Sequence, residues 1–561
     1  MRRLTMNLPK RLTQTVALFV LGFTSYFSAY SVAADESPVK AASSEEVASK
    51  LDPYFMALAE GNRLIATVAL YKGDKQVYQS TLVPQGETTQ LVEKELKYKI
   101  GSITKTFTAA LIYQLVEAGD LSLETTLETY FPNIANADKI TIKQMLNHHS
   151  GLYNYTDEPA FLSYHRSPQE KEFLIKKIES FEPNFEPGEK AAYSNSNYLL
   201  LGYIAEKVTG KPFEKLLKER VYQPLGMENT LLGQAINSEN DEVFSYGWSG
   251  EQWEETPQWD MSVAYSAGAL VSTAEDLKTF IRGLFQGKLI QQASLEQMIA
   301  LSNGFGSGIF STTYQLGDKK LQGYWHNGGI ESFISHLAYY PEKDITVVVL
   351  TNGMNYDIRQ LYETMLDAYF GQDVVVPEFG QAVELKQSVM LPLAGDYKSE
   401  THPLDITISV VGNTLYGQAT GQGGFPLTAL DENTFEFAKA GIEIRFDREN
   451  AQFEIKQGGR ADIFIKVDDE GGQSVETLVV PVETLQQYVG LYQSDDFPLD
   501  IEVMLKGESL YAQATGQSAF PLTPISKKKF AFKLADIVIE FDVENGQLTI
   551  TQRGVPHILM K

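Results

Sequence analysis

A serine and a lysine three residues apart, Ser102 and Lys105, stand at the front of the stretch Tyr98-Lys99-Ile100-Gly101-Ser102-Ile103-Thr104-Lys105-Thr106-Phe107. A serine hydroxyl is a weak nucleophile until a base takes its proton. Residues i and i+3 on a helix are surface neighbours, so an amine is held beside the hydroxyl. Phe107, Leu111 and Leu115 recur at helical spacing, with Ala110 and Gln114 off that stripe, and Gly119 follows. The pattern predicts a helix with one apolar face that ends near Gly119. A lysine in the first turn opposes the helix dipole, at a cost of about 0.3–1 kcal/mol. The same dipole disfavours the ammonium form, which suits a lysine that must accept a proton. The plainer readings are an N-cap serine and a surface charge. Ser-x-x-Lys also occurs at Ser37 and Ser526. Ser37 sits in a Pro-containing tail and Ser526 opens a run of lysines, and neither has a helix to hold its lysine.

Two further strings could complete such a site. Tyr193-Ser194-Asn195 lies between Pro187-Gly188-Glu189 and a helix predicted from about Asn197. It presents a phenol and an amide from a loop, or else is a turn feeding the helix. His326-Asn327-Gly328-Gly329 is placed at the end of a strand, where glycines also mark a corner. A rival string, His149-Ser150-Gly151, reads as a helix-end turn because no strand pattern precedes it.

The rest of the chain must position these groups. It has 561 residues, a net charge of −25, 43% hydrophobic residues and no cysteine. The charge argues against nucleic acid and anionic membrane surfaces as partners. The absence of cysteine excludes disulfides, thiolate chemistry and cysteine–zinc sites. Residues 1–34 read as a secretory signal peptide: a basic front, a short apolar run from Val16 to Phe27, then Ser31-Val32-Ala33-Ala34. A periplasmic or secreted protein is expected, with no stable membrane insertion after signal removal. In residues 35–371, strand patterns at both ends flank a helical, loop-rich middle. The expected fold is α+β: an antiparallel sheet covered by helices, with a helical insertion. Residues 372–390 read as a linker. Beyond it lies a repeat at an offset of 95: Leu415–Thr428 recurs as Leu510–Thr523 with three of fourteen positions changed. Short alternating strands make each copy, 391–467 and 481–561, a small antiparallel β-barrel closed on itself, with 468–480 as a linker. The retained Ala-Thr-Gly-Gln strings, Ala419–Gln422 and Ala514–Gln517, are either a shared barrel corner or a loop that leans over the Ser102 cleft.

Taken in order, Ser102-x-x-Lys105, Tyr193-x-Asn195 and His326-x-Gly328 resemble the motifs of the penicillin-recognising serine hydrolases. These are the class C β-lactamases, D-alanyl-D-alanine carboxypeptidases, D-aminopeptidases and related esterases. Leu146–Leu152, Pro187-Gly188, Leu200–Gly202 and Ala267–Asp276 look like family segments too, and the resemblance covers roughly residues 45–370. It implies a β-lactamase-like domain and an acyl-enzyme on Ser102, with Lys105 or Tyr193 as general base. It also implies that Asn195 orients Lys105 and the substrate amide, that the backbone N–H groups of Ser102 and Gly329 form an oxyanion hole, and that Gly328 and Gly329 let the backbone approach the substrate. No metal or cofactor is implied, and the partner is a small-molecule or peptide substrate. The departure is His326. Many β-lactamases and peptidases of the family carry lysine there, which attracts a carboxylate, whereas a histidine is mostly neutral at pH 7. The resemblance then favours an amide in D-amino-acid-containing peptides, with an ester or a β-lactam on the same site, or a sensor acylated without turnover, as alternatives.

Among the three Ser-x-x-Lys strings, only Ser102→Ala is expected to abolish covalent labelling by a fluorophosphonate. Ser37→Ala and Ser526→Ala keep it, and labelling that survives Ser102→Ala overturns the assignment.

Overall fold

The computed structural model describes residues 41–561 apart from 84–94, 250–251, 381, 421, 458–459, 468–479, 495–496, 498, 507–508, 515–519, 533–536 and 553–554. The signal-peptide reading, Ser37 and nearly all of the 468–480 linker lie outside the described residues.

Helix α1 (Ser44–Glu60) starts at a capping box in which Ser43 and Glu46 satisfy each other's backbone N–H groups. A hairpin follows, β1 (Leu64–Lys72) and β2 (Lys75–Leu82), turning at Gly73 with φ +60°. Next come the short strand β3 (Tyr98–Lys99), α2 (Thr104–Glu117), α3 (Asn195–Thr209), α4 (Met261–Gly268), β4 (Leu270–Ser272) and α5 (Ala274–Phe285). Four strands return at the end of the domain: β5 (Phe310–Leu316), β6 (Lys319–Ile330), β7 (Phe333–Tyr340) and β8 (Ile345–Met354), and α6 (Ile358–Tyr369) closes it.

The main sheet runs β2-β1-β8-β7-β6-β5 and is antiparallel along this path. Strand β1 is buried from Leu64 to Tyr71, as a central strand covered on both faces must be. Alternate residues feed two cores. Val68, Leu70, Val347 and Val349 pack with α1 and α6. Ala69, Val348 and Leu350 join the larger core made with α2, α3 and α5. Neither core contains a barrel residue. An antiparallel sheet between helices, with a helical insertion, is therefore the observed architecture of this domain.

Two local expectations are corrected. Helix α2 has no single apolar face: every residue from Thr104 to Tyr113 is buried, Ala110 as completely as Phe107. The helix lies at the centre of the domain, so its polar residues also need internal partners. Thr106 and Thr108 donate to the carbonyls of Gly308 and Ser266 at 2.7 Å each, and Gln114 donates to Arg220 and Leu289 carbonyls. The second concerns His326-Asn327-Gly328-Gly329: it stands at the end of β6 as expected, but the strand runs on through both glycines to Ile330. Gly328 pairs with Ser335 and Gly329 with Ile334 across β7.

The repeat forms two eight-stranded β units. In the first, from Gly395 to Lys466, the first strand pairs with the last through Tyr397–Lys466, and the barrel is closed. The second runs from Gly490 to Met560. Among the described residues its first strand is only three long, and its ends meet at one bridge, Gln493–Met560. Full closure therefore holds for the first copy, and the second is nearly closed. The connector divides between its neighbours: Val374 and Phe379 pack on the front domain, whereas Leu385 and Met390 belong to the first barrel. Arg63 joins the two by an ion pair to Glu436 at 2.5 Å, its guanidinium 4.6 Å over the Phe379 ring. The first Ala-Thr-Gly-Gln string is a corner of its own barrel, where Thr420 N–H donates to the Asp405 carbonyl at 3.0 Å. The second copy's residues 515–519 lie outside the described residues.

Because the front domain has its own cores, residues 41–380, which keep Val374 and Phe379, are expected to unfold cooperatively on their own. The kcat/KM ratio between short and long peptide substrates should match the full chain's. A shortened chain that newly accepts long substrates would instead give the barrels a gating role.

Candidate active site

Ser102 sits in a 3-10 turn, Gly101–Ile103, that leads directly into α2. The turn starts at Gly101 with φ +51°, where a side chain is strained and a Cβ would lie 2.6 Å from the Gly329 nitrogen. At Gly328 a Cβ would lie 1.9 Å from the Ile100 carbonyl oxygen. That oxygen also accepts a bond from Ser335 at 2.8 Å. The glycine at 328 therefore serves a close approach of β6 to the turn that carries Ser102. Ser102 is not an N-cap: no side chain caps the start of α2. Its hydroxyl is engaged by Tyr193 and Lys105.

The Lys105 side chain is fully buried. Its Nζ lies 3.0 Å from Ser102 Oγ, 2.8 Å from Asn195 Oδ1 and 2.6 Å from the Ala267 carbonyl. Burial pushes its pKa well below the ordinary lysine value. A neutral amine has two N–H groups and one lone pair. In that form the two carbonyl oxygens can take the N–H groups, which leaves the lone pair for the Ser102 hydroxyl; the ammonium form instead donates to Ser102 Oγ. The Tyr193 phenol, 2.8 Å from Ser102 Oγ, is held in its neutral form by burial, which raises its pKa. As a donor it completes a chain from phenol to serine hydroxyl to amine.

Helix α3 begins at Asn195, two residues earlier than expected, with Ser194 before it. Asn195 spans the site: its oxygen faces Lys105, and its Nδ2 donates to Thr156 Oγ1 at 3.0 Å. Its backbone N–H donates to Asn154 Oδ1 at 2.9 Å. Asn154, Thr156, the Ala267 carbonyl and His148 join the site without a catalytic motif of their own in the sequence. His148, with φ +60°, stacks on the Tyr193 ring at 4.5 Å and accepts the Ser194 N–H at 3.1 Å. Burial and the neighbouring Lys105 hold it well below the usual histidine pKa. The adjacent His149-Ser150-Gly151 string is a turn beyond the helix Ile142–Leu146, as expected. The one signal that could have pointed to His148 was its place in Leu146–Leu152. Ser526 only caps its own bend, accepting N–H groups from Lys528 and Lys529.

His326 faces this cluster from β6, 5% exposed, with its ring 5.1 Å from Phe310. Burial, then repulsion from Lys105, lowers its pKa to about 3, so it is neutral, as a histidine in place of lysine was expected to be. Its Nδ1–H donates to the Asn327 carbonyl at 2.5 Å, which leaves the Nε2 lone pair as an acceptor. On the other face, His336 donates from Nδ1 to Asn327 Oδ1 at 2.5 Å and stacks on Tyr362 at 4.0 Å. Burial lowers its pKa to about 3 as well. Among the described residues no three His, Asp or Glu side chains converge as metal ligands. The arrangement can deliver a hydroxyl nucleophile with a buried amine, its ammonium form disfavoured, and a phenolic donor on either side of it.

The Beta-lactamase family model matches residues 51–369. The chain therefore belongs to that family, and its front domain has the fold of β-lactamase-type serine hydrolases. It is 25% identical over 428 residues to penicillin-binding protein 4* of Bacillus subtilis, covering 71% of this chain and 93% of that one. It is 28% identical over 367 residues to penicillin-binding protein 4 of Amycolatopsis lactamdurans, covering 60% and 93%. Among solved structures, the octameric penicillin-binding protein homologue from Pyrococcus abyssi shares the fold, with TM-score 0.50 and 23% identity, over 73% of this chain and 98% of that one. Other curated relatives, such as protein flp of Staphylococcus aureus at 29% identity over 48% of this chain, are matched over only 55–62% of their own length.

The buried neutral histidines set a pH dependence. Unfolded, each takes up a proton as pH falls through about 6.5. Folded, His326 and His336 do so only near 3. Their penalty is absent above pH 6.5 and grows as pH falls toward 3, by up to about 1.4 kcal/mol per pH unit for each group. Tm should therefore fall between pH 7 and pH 4, and His336→Phe should make that slope shallower. An unchanged slope would show that His336 is charged in the fold.

Proposed function

We propose that this protein is an exported serine hydrolase that cleaves an amide through an acyl-enzyme on Ser102. The observation that carries the reading is the placement of Ser102 Oγ between the Tyr193 phenol and the Lys105 amine, at 2.8 and 3.0 Å, with that amine buried and its ammonium form disfavoured by burial. Lys105 is the general base. It takes the Ser102 proton through its free lone pair while Asn195 and Ala267 hold its N–H groups. Ser102 Oγ then forms a bond to the substrate carbonyl carbon. The oxygen that gains charge is received by the backbone N–H groups of Ser102 and Gly329, usually the largest single contribution in such sites. The proton passes from Lys105, through Tyr193, to the departing nitrogen. Water reverses the sequence and releases the acyl group.

The substrate reading rests on His326. A neutral ring offers a hydrogen-bond acceptor where a lysine would offer a charge, so a free carboxylate gains nothing there. This supports an amide in a D-amino-acid-containing peptide as the substrate, in the periplasm or outside the cell. No helix among the described residues is long and apolar enough to cross a membrane.

The test is a substrate panel: a fluorophosphonate, p-nitrophenyl acetate and D-aminoacyl p-nitroanilides. Turnover of the anilides is expected. Ester turnover alone would assign a carboxylesterase, and labelling without turnover an acylated sensor. Lys105→Ala and Tyr193→Phe should each slow acylation more than about a hundredfold, the scale of lost general acid–base catalysis. An unchanged rate removes that residue from the mechanism.

A further inference from the structure

Lys99 and Glu331 form an ion pair at 2.6 Å with side chains only 1% and 0% exposed. Such a pair, wholly out of water, contributes little net stability compared with two packed apolar side chains. Its position is more informative than its strength. Lys99 ends β3, three residues before Ser102, and Glu331 follows β6, two residues after Gly329. Glu331 adopts φ +55°, a left-handed conformation that is uncommon outside glycine, Asn, Asp and His. Its Oε1 also accepts the backbone N–H of Trp259 at 2.8 Å, and its Oε2 is buried with no partner. Between the two charged residues the Ser102 turn and β6 touch backbone to backbone, with no room for a Cβ on Gly101.

Ser335 already ties Ile100 to β7, and the Leu270 carbonyl accepts the Ile100 N–H. Those bonds fix the turn against its sheet neighbours. Neither reaches the turn between β6 and β7 that follows Gly329. The ion pair does, and it closes a loop around the two N–H groups assigned to the carbonyl oxygen. Donors of that kind act only when both lie about 2.7–3.1 Å from the oxygen's final position, so their spacing must be fixed in advance.

We infer that Lys99 and Glu331 are positioning residues, their ion pair setting the distance between the backbone N–H groups of Ser102 and Gly329. The inference rests on Ser102 as the nucleophile. E331Q and K99M should lower kcat on a p-nitrophenyl ester by about a hundredfold, comparable to the loss of one oxyanion donor, with KM changed less than about threefold. Affinity for an arylboronic acid, which binds as a tetrahedral adduct, should fall in parallel. K99R, whose guanidinium still reaches Glu331, should recover most of kcat.

A single variant that leaves one charge buried can fail to fold, so K99M/E331M supplies the decisive comparison. It removes both charges together and is expected to stay folded, since an apolar pair of similar volume often replaces a buried ion pair without loss, with Tm lowered only by the Trp259 N–H that loses its acceptor. Its kcat should stay depressed. A folded K99M/E331M protein with wild-type kcat and boronate affinity overturns the inference. If wild type itself is not labelled by the fluorophosphonate, the functional reading fails and this inference with it. Normal wild-type labelling with normal turnover in every variant defeats this inference alone.

Discussion

An amine cannot be taken out of water cheaply while it is charged, and the front domain is arranged around an amine with no exposure at all. Because Lys105 is buried, the helix that carries it must be buried too. That explains why α2 lines the domain centre with hydrogen-bonded threonines where an ordinary amphipathic helix would turn a polar face outward. Because Nζ has only three directions of bonding, it needs two acceptors and one donor. Asn195 and Ala267 supply the acceptors. Ala267 lies two residues after Tyr265, whose φ of 35° and ψ of −126° place it in a sparsely populated region that costs about 1–3 kcal/mol. Tyr265 is anchored by its hydroxyl to Glu206 at 2.7 Å. Ser266 is held against α3, where Gly202 leaves it room: a Cβ there would lie 2.0 Å from Ser266 Oγ. The strain therefore sits beside the carbonyl that holds the lysine.

The second constraint is the close approach of sheet and turn. Glycines at 101 and 328 are required because backbone meets backbone there, and a methyl group at either would force β6 away from Ser102. The Ser102–Lys105 pair, the Tyr193–Asn195 segment and the strand that faces them come from three distant parts of the chain. They are brought together by the antiparallel sheet on one side and by α2 packed on α3 and α4 on the other.

Much of this was legible in the sequence because residue type and spacing carried the information. Ser102 and Lys105 declared a pair through helical geometry, and β1, β2, β7 and β8 through alternation. The 95-residue repeat announced two like β units. What the sequence could not show were groups whose role is conferred by contact alone. The Ala267 carbonyl is a backbone atom, and any residue could supply it. Asn154 and Thr156 read as loop polar residues, and His148 as part of a turn. The all-round burial of α2 was hidden because threonines count as polar until their partners are known. At His326–Gly329 the glycines, which usually interrupt strands, let the strand run on to Ile330 past a neighbouring turn.

The two β units carry a consequence of their likeness. Strand Thr414–Ala419 of the first and strand Ser509–Ala514 of the second come from segments identical at eleven of fourteen positions, and the units touch through Tyr416 and Phe532, whose rings lie 6.2 Å apart. Each strand therefore carries a near-copy of its partner's pairing pattern. During refolding, a strand released from one unit can satisfy the hydrogen bonds of the other, as tandem repeats of similar sequence are prone to do. The second unit, whose ends meet through the Gln493–Met560 bridge, is the easier one to open. Strand exchange between the copies, within one chain or between two, is thus the misassembly to which this molecule is built to be vulnerable.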